Sequence, residues 1–254
     1  MIMSVFKFYN EEGWSQRKKN TNDAILFEDL RPVASEYVSY CRKKINKFLP
    51  KKGKNILDFA SGPIQYKEYL AYSRGFKIRH CVDFSIQAIN SAKKKIGKKG
   101  KFYCDDFLKI KFRENYFDAI VSLHTLYHIS KNKQEKVVRK LIRISKKNTP
   151  IIIVYSNSNT LVNTFKKIIF YKKKVKQKQL YFYCHNFRWW KRFSKDAKVE
   201  FYPWRSFSAQ HQKILFPNNF FGKFLFKILI FFENSFPKIF TKYFQYPIVI
   251  LKKY

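Results

Sequence analysis

The sequence predicts an α/β fold: one wound sheet of about seven strands, mostly parallel with an antiparallel last strand, with helices on both faces and a small helical cap. Between residues 55 and 156, short apolar runs alternate with segments whose apolar residues recur every three or four positions. This alternation is typical of a parallel sheet with right-handed crossovers. Hydrophobic residues make up 46% of the 254 residues, including 28 Phe and 17 Tyr, which supplies a core and argues against disorder along the whole chain.

The predicted elements follow in order along the chain. Residues 32–49 have apolar positions at helical spacing, with Pro32 in the first turn, where proline is favoured. Strands are predicted at 55–60, 77–84, 100–106, 116–123 and 150–156, and helices at 64–73, 85–96 and 133–145. Ser85 is the candidate N-cap of the helix that follows it. The fourth strand is almost continuously apolar, as expected when both faces are buried.

The alternation stops after residue 156. Residues 157–198 are basic and aromatic and are predicted to form a helical insertion. Two further strands, at 199–209 and 245–253, are joined by an amphipathic helix around 220–236. The chain is therefore divided into an N-terminal helical lid (1–49), a cofactor-binding core (50–156), a basic aromatic cap (157–198) and a C-terminal part (199–254) that completes the core.

The helix at 220–236 admits two interpretations. Its broad apolar face contains Phe224, Ile228 and Phe231, while Lys223 and Lys227 lie on another face. A basic amphipathic helix can lie on an anionic membrane. Connecting helices in wound sheets nearly always cover the sheet, so we expect the Phe-rich face to be buried, with weak peripheral membrane contact through any part left exposed.

The charge balance is extreme, with 53 Lys and Arg against 17 Asp and Glu and a net charge of +36. Such a charge predicts salt-sensitive, non-specific adhesion to nucleic acid. However, lysines are spread along the whole chain, while Gly (7 residues) is scarce and Lys, Ile, Phe, Tyr and Asn abound. This composition is typical of an A- and T-rich genome, so we favour compositional bias over a dedicated polyanion site.

No targeting or metal-binding feature is evident. The four cysteines are far apart and none forms a CxxC pair, which predicts neither zinc nor disulfides: Cys41, Cys81, Cys104 and Cys184. The first 14 residues lack the pattern of a signal peptide. The most apolar stretch, 220–232, is 13 residues long with two lysines, too short and too charged to span a bilayer. We expect a cytoplasmic protein without a resident metal.

Four strand ends carry the candidate site residues, because ligands of open parallel sheets bind beyond the carboxyl ends of the strands. In order they are Asp58 with the turn Ala60-Ser61-Gly62-Pro63, then Asp83 with Phe84, then Asp105-Asp106-Phe107, and finally Ser122-Leu123-His124. We therefore expect these residues to meet at one edge of the sheet.

Two classes of cofactor use this geometry, and they differ in charge. The pyrophosphate of a dinucleotide requires a GxGxxG turn, whereas this turn has the single glycine Gly62 and is preceded by Asp58, which would repel an anion. A sulfonium cofactor with an α-ammonium group would be attracted by Asp58. Asp83, 21 residues after Gly62, suits the ribose hydroxyls of either class, and Asp106 with Phe107 suits an adenine ring. The sequence contains no GxxxxGK[ST] phosphate-binding loop.

Five segments resemble the class I S-adenosylmethionine (SAM)-dependent methyltransferases of the kind found in small-molecule and surface-glycan biosynthesis. They read ILDFASGP, CVDFSIQAINSAKKK, YCDDFLKI, FDAIVSLHTLYHI and LIRISKKNTPIIIVY, and they cover residues 50–156 well. The final YPIVILKK resembles the family's antiparallel last strand. The resemblance implies a Rossmann-like core whose SAM site comprises Asp58, Ala60, Ser61, Gly62, Asp83, Phe84, Asp106, Phe107 and Ser122.

The chain departs from the family pattern at two turns. The usual Gly-x-Gly-x-Gly is reduced to Ala60-x-Gly62-x-Ile64, which bears on the pose of the cofactor. The Pro-Gly-Gly turn before the fifth strand is replaced by Lys-Asn-Thr-Pro at 147–150, which we interpret as a neutral loop change.

Methyl transfer requires mainly that the acceptor is held at attack distance in a dry pocket. A general base is needed only for a poor nucleophile such as a sugar hydroxyl. The resemblance places His124 beside the methyl group, so His124 is the candidate base, with a structural histidine at a helix start as the alternative. Tyr127 is a candidate pocket residue, and His128 is predicted to serve packing. His185 is predicted to have a structural role, with a substrate-facing role as the alternative.

Arg31 precedes the helix that begins at Pro32, where a cation is unfavourable by up to about 1 kcal/mol. This cost suggests an anionic partner, for which the carboxylate of SAM is one candidate. The favoured alternative is an ion pair with Glu28 or Asp29.

The leading hypothesis is a SAM-dependent methyltransferase acting on an O or N atom of a small molecule or glycan precursor. One alternative is an NAD-type oxidoreductase, disfavoured by the single glycine and Asp58. Another is a non-catalytic, basic nucleic-acid-binding protein, whose aromatic-basic cap could stack bases. The Asn-Pro-Pro-aromatic and Pro-Cys signatures of DNA amino- and RNA cytosine-methylating enzymes are absent. The acceptor and the oligomeric state stay open.

Overall fold

The computed structural model describes residues 2–17, 19–158, 160–161 and 179–254. Seven strands form one sheet: β1 Gly53–Phe59, β2 Phe76–Asp83, β3 Gly100–Cys104, β4 Ala119–Leu123, β5 Pro150–Val154, β6 Ala197–Arg205 and β7 Tyr246–Lys253. All seven were predicted from the sequence, with ends that differ by a few residues. Two-residue strands pair Ile2–Met3 with Gln179–Leu180, and Gln16–Arg17 with Asn20–Thr21.

Helices cover both faces of the sheet. The described α-helices are α1 Val5–Phe8, α2 Asn22–Phe27, α3 Pro32–Lys43, α4 Lys67–Ala71, α5 Ile86–Ile96, α6 Lys131–Ile144, α7 Phe187–Trp190, α8 Ala209–Leu215, α9 Phe220–Ser235 and α10 Pro237–Tyr243. Single π or 3₁₀ turns occur at Tyr9–Gly13, Lys44–Lys47, Gly97–Lys99, Leu126–His128 and Lys191–Phe193. Ser85 caps α5 by accepting the backbone N–H of Ala88, as predicted.

The strand order is β6-β7-β5-β4-β1-β2-β3. Neighbouring strands from β5 through β3 are parallel, while β7 runs antiparallel to both β5 and β6. This confirms the predicted wound sheet. The order reverses between β1 and β4, so the carboxyl ends of these two strands flank the crevice where ligands bind in such sheets.

Side chains of each central strand alternate between two cores. On β5, Ile151 and Ile153 join the core under α6, and Ile152 and Val154 join the core under α3 and α9. All five residues of β5 are buried, which explains its continuous apolar sequence.

Two predicted helices are shorter in the structure. The helix predicted at 32–49 ends at Lys43 and continues as the 3₁₀ turn Lys44–Lys47. The helix predicted at 64–73 is limited to Lys67–Ala71. Ile64 has a φ of 49°, which lies outside the right-handed helical region, so a helix cannot include it.

The predicted helical cap at 157–198 lies partly outside the described residues. Within the described part, α7 and the turn after it bury Trp189, Trp190 and Phe193 in the core under α6. These aromatic side chains therefore serve packing. The division of the chain into lid, core, cap and C-terminal part stays a prediction.

The expectation that α9 buries its Phe-rich face was wrong for Phe224 and Phe231, while Leu225 and Ile228 are half-buried. Phe224 is 49% exposed and Phe231 is 64% exposed, while Phe226 and Leu229 enter the core against α3. A buried polar side chain explains this orientation of α9. Glu233 lies on the same face as Phe226 and Leu229 and is only 1% exposed. A buried carboxylate must be paired, and its partners fix the rotation of the helix.

Those partners come from α3, from the turn after it and from the end of β6. Glu233 accepts hydrogen bonds from Tyr37 Oη at 2.6 Å and Ser206 Oγ at 2.5 Å, and pairs with Lys44 Nζ at 2.6 Å. Rotating α9 to bury Phe224 would leave these polar groups unpaired. Within the described residues, no helix is both long and apolar enough to cross a membrane.

The turn after β1 has an unusual backbone. Ala60, Gly62 and Ile64 all have φ between 49° and 56°, in the left-handed region that glycine adopts most easily. The three positions are those at which the sequence carries Ala60-x-Gly62-x-Ile64 in place of three glycines. The turn therefore keeps a glycine-type conformation with a single glycine.

We predict that Ala60→Gly stabilises the protein by about 0.5–1 kcal/mol. The substitution relieves the left-handed strain of an alanine, which exceeds the added conformational entropy of glycine in the unfolded chain. The free energy of unfolding in urea measures the effect. Ala92→Gly, inside α5, is the matched control and should destabilise the protein. A lower unfolding free energy for Ala60→Gly would show that the turn is unstrained.

Candidate functional site

The three central strand ends lie side by side. Asp58 of β1 is in register with Val121 of β4 and with Cys81 of β2. The turn after β1, the end of β2 and the Ser122–His124 segment therefore share one edge of the sheet, as the sequence predicted from the topology.

Asp83 connects the turn after β1 to the start of α5. Its Oδ2 accepts the backbone N–H of Gly62 at 2.9 Å, and its Oδ1 accepts the backbone N–H of Ser85 at 2.9 Å. Ser61 adds a backbone bond from its N–H to the carbonyl of Val82 at 3.1 Å. Burial raises the pKa of Asp83 to about 6, although the two N–H donors act in the opposite direction.

Asp58 is paired inside the protein. Its carboxylate forms a buried ion pair with Arg79 of β2, which also donates to the carbonyl of Tyr69 at 2.6 Å. Both side chains of the pair are nearly inaccessible to solvent. Arg79 was not among the predicted site residues, although a cation inside the apolar strand 77–84 is an indication of a buried partner.

N-terminal residues lie directly over the turn. A Cβ on Gly62 would be 3.1 Å from the Trp14 ring, so that this ring closes the space above the glycine. Tyr9 stacks on Trp14 with ring centroids 4.8 Å apart, and its carbonyl accepts the Ser85 hydroxyl at 3.2 Å. Neither aromatic residue was named from the sequence.

The predicted adenine residues lie at the end of β3. Asp106 is exposed and accepts the backbone N–H of Leu108 at 2.9 Å. Phe107 is buried against Phe59, with ring centroids 4.3 Å apart. Phe84 is half-buried beside Phe6, at 5.3 Å between centroids.

Arg31 forms the ion pair that the sequence left as the alternative. Its Nε and Nη2 donate to the two carboxylate oxygens of Asp29 at 2.8 and 2.7 Å. The remaining bonds go to the carbonyls of Phe216 at 2.9 Å and Gln212 at 3.0 Å. The guanidinium is thus engaged with α8 and its neighbours, and the structure does not bring it to the turn.

His124 follows β4 with a φ of 59°, a strained conformation for a residue other than glycine. Its Nδ1 is 2.7 Å from Tyr127 Oη, and its ring lies 4.5 Å from Trp204 and 5.0 Å from Tyr246. Its Nε2 is buried and has no hydrogen-bond partner among the described residues, and the same holds for the Oγ of Ser122. Burial, and then the charge of Arg205, hold the pKa of His124 well below its usual range.

The other two candidate histidines make packing contacts, as predicted. His128 Nδ1 is 2.8 Å from the carbonyl of Tyr181, and His185 stacks on Trp189 at 4.2 Å. His185 also lies beside two open depressions of about 420 and 640 Å³. Neither is lined by the β1 turn or Asp83, and we place the site at the strand ends because the polar groups converge there.

Sequence reasoning also missed a buried charge cluster next to His124. Arg205, at the carboxyl end of β6, and Arg42, in α3, both pair with Glu28. The available indication was positional: Arg205 lay inside a predicted strand, and Arg42 stood on the apolar face of a predicted helix.

Comparison with known protein families gives one match. Residues 57–153 match the family described as a methyltransferase domain. This range begins inside β1 and ends inside β5, so it contains the turn, Asp83, Asp106 and His124. No curated protein sequence matches the chain.

Solved structures share the fold. The N-methyltransferase NodS from Bradyrhizobium japonicum, solved with S-adenosyl-l-homocysteine (SAH), is 11% identical with a TM-score of 0.59, covering 98% of this chain and 97% of NodS. Phosphoethanolamine N-methyltransferase 2 of Haemonchus contortus, solved with phosphomonomethylethanolamine and SAH, is 18% identical with a TM-score of 0.53. That match covers 82% of this chain, which spans only 51% of the Haemonchus chain.

Three findings now agree: the strand order, the acid-lined edge of the sheet and the matched family. The segments quoted from the sequence for their resemblance to methyltransferases lie largely inside the matched range. Residues 57–153 of this chain are a methyltransferase domain, in the wound-sheet fold of the class I SAM-dependent methyltransferases.

Proposed function

We propose that this methyltransferase binds SAM at the carboxyl edge of β1, β2 and β4 and methylates an O or N atom of a small molecule or glycan precursor. The observation that carries the proposal is the turn after β1. It keeps three left-handed residues, and its Gly62 N–H is already bonded to Asp83. This arrangement places the Asp83 carboxylate where a cofactor's hydroxyl groups can bind, and the turn lacks the further glycines that a dinucleotide pyrophosphate requires.

In this proposal Asp83 binds the ribose hydroxyls. Each of its oxygens accepts one backbone N–H and keeps a further lone pair for a hydroxyl donor. Asp58, whose charge is paired with Arg79, holds the end of β1 beside the proposed position of the α-ammonium group. The turn Ala60-Ser61-Gly62, Phe84, Asp106, Phe107 and Ser122 complete the proposed pocket. Arg31 forms no part of it, because Asp29 and two carbonyls engage its guanidinium.

When bound, SAM supplies an electrophilic methyl group on a sulfonium centre. The buried, unpartnered Ser122 hydroxyl supports a ligand at the end of β4, since a buried polar atom without a partner costs about 1–3 kcal/mol. The structures of the same fold solved with SAH also support SAM as the cofactor.

We propose His124 as the general base. Its lowered pKa keeps the ring neutral at physiological pH, which a base requires. When Nδ1–H donates to Tyr127 Oη, the Nε2 lone pair is free to accept the acceptor's proton. The strained backbone at His124 supports a functional role, since such strain clusters at active sites.

The acceptor proposal is tested with methyl-tritiated SAM and two fractions of one cell lysate. We expect label to enter the dialysable small molecules and not the RNA and DNA. His124→Gln should lower the rate about a hundredfold without changing SAH affinity, since a general base contributes at least that much. His185→Gln, the matched control, should retain the rate. Label confined to nucleic acid would contradict the proposal.

The assay is run at about 200 mM salt, because non-specific adhesion driven by the +36 charge falls roughly a thousandfold between about 50 and 200 mM. We propose that the protein works in the cytoplasm and that its contact with nucleic acid is of this salt-sensitive kind.

We also propose peripheral contact with an anionic membrane through α9 and α10. Exposed apolar side chains there include Phe220 at 86% exposure and Phe231 at 64%, together with Phe221, Phe232, Phe236 and Ile239. Lys223, Lys227, Lys238 and Lys242 surround them and are exposed. An exposed apolar patch with basic flanks fits a surface that is anionic outside and apolar beneath.

Lys223→Glu with Lys227→Glu should abolish co-sedimentation with phosphatidylserine-containing vesicles, because it reverses the charge beside the patch. The control is Lys93→Glu with Lys94→Glu, which changes the net charge equally on the exposed face of α5. Equal loss in both variants would mean that binding follows net charge, and the α9 contact would then be rejected.

A further inference from the structure

Two buried arginines from different elements share one carboxylate. Arg205 Nη1 is 2.7 Å from Glu28 Oε2, and Arg42 Nη2 is 3.6 Å from the same oxygen. Arg205 is 4% exposed, and Arg42 and Glu28 are each 8% exposed. Among the described residues, Glu28 is the one carboxylate within ion-pair distance of either guanidinium.

Two further carboxyl groups, those of Asp23 and Glu68, lie near the cluster. Asp23 accepts the Tyr9 hydroxyl at 3.0 Å, and burial raises the pKa of Asp23 to about 7. Near neutral pH it is therefore only partly ionised. Two other buried cations each pair with one carboxylate, Arg79 with Asp58 and Lys44 with Glu233, while Lys140 donates to backbone carbonyls.

Both arginines keep donors without a partner. The Nε of Arg42 and the Nε of Arg205 are buried and have no hydrogen-bond acceptor among the described residues. The Tyr66 hydroxyl is also without one, and its ring lies 3.2 Å from the Arg42 guanidinium carbon. Unmet buried donors of this kind each cost about 1–3 kcal/mol, which is recovered if a ligand supplies the acceptor.

The cluster adjoins the proposed base. The Arg205 guanidinium lies 4.7 Å from the Trp204 ring and 5.0 Å from the Tyr246 ring, and the same two rings flank His124. His124 and Arg205 thus pack against the same two aromatic rings. A molecule with its reactive atom at His124 could place a second group at the cluster.

We propose that the methyl acceptor carries a carboxylate or phosphate group and that Arg42 and Arg205 bind it. The inference rests on the proposed function, since it assumes that the acceptor reacts beside His124. An oxyanion would accept hydrogen bonds from the free Nε donors, and planar guanidinium groups match its geometry. Glu28 holds the two arginines in place when the acceptor is absent.

The test uses the full chain saturated with SAH, with methyl phosphate and acetate as probes and the ionic strength held constant with sodium chloride. Nuclear magnetic resonance titration gives the dissociation constants. We expect at least one probe to bind, and Arg42→Gln and Arg205→Gln each to weaken that probe at least about tenfold. Arg74→Gln changes the net charge equally at an exposed residue and should bind as the wild type does.

The probes also identify the anion: binding of methyl phosphate alone indicates a phosphomonoester, and binding of acetate alone indicates a carboxylate. If an arginine variant fails to fold, Glu28→Gln gives a second test. It keeps both arginines, removes their competitor and should tighten the probe about tenfold. No binding to the wild type, or equal weakening by Arg74→Gln, overturns the inference.

A titration of SAH into the same samples separates the two proposals. If SAH binds while neither probe does, only the anionic-acceptor inference fails. If SAH itself does not bind, the proposed function fails first.

Discussion

The carboxylate of Asp83 accepts the backbone N–H of Gly62 with one oxygen and that of Ser85 with the other. These two bonds join the left-handed turn after β1 to the first residues of α5. They hold three non-helical residues in a conformation that two of them, Ala60 and Ile64, would not favour alone. The shape of the proposed cofactor pocket depends on this connection, since the turn and the strand end move together.

Buried charge organises the rest of the molecule. Glu233 with Lys44 fixes the rotation of α9, and Asp58 with Arg79 ties β1 to β2. In each case removing one partner would leave an uncompensated buried ion, which is why such pairs specify one arrangement. In the cluster beside His124, Arg42 and Arg205 both pair with the carboxylate of Glu28 and keep buried Nε donors without a partner among the described residues.

The sheet was predictable from the sequence because strands such as β5 are buried on both faces and so form continuous apolar runs. Asp58, Asp83 and His124 were found because parallel strands end at one edge. The rotation of α9 was not predictable, since its Phe-rich sequence pointed to the wrong face and Glu233 looked like a surface residue. Arg205 was missed for a related reason: its partner Glu28 is 177 residues away in the sequence.

The central claim, that this acid-lined edge binds SAM through Asp83, is tested most directly by calorimetric titration of SAH and NAD. The account predicts that SAH binds and NAD does not, and that Asp83→Asn weakens SAH at least about tenfold, because hydrogen bonds from the ribose to a charged acceptor are lost. Asp196→Asn, an exposed carboxylate remote from the turn, should bind SAH as the wild type does. Preference for NAD, or unchanged SAH affinity in a folded Asp83→Asn variant, would contradict the account.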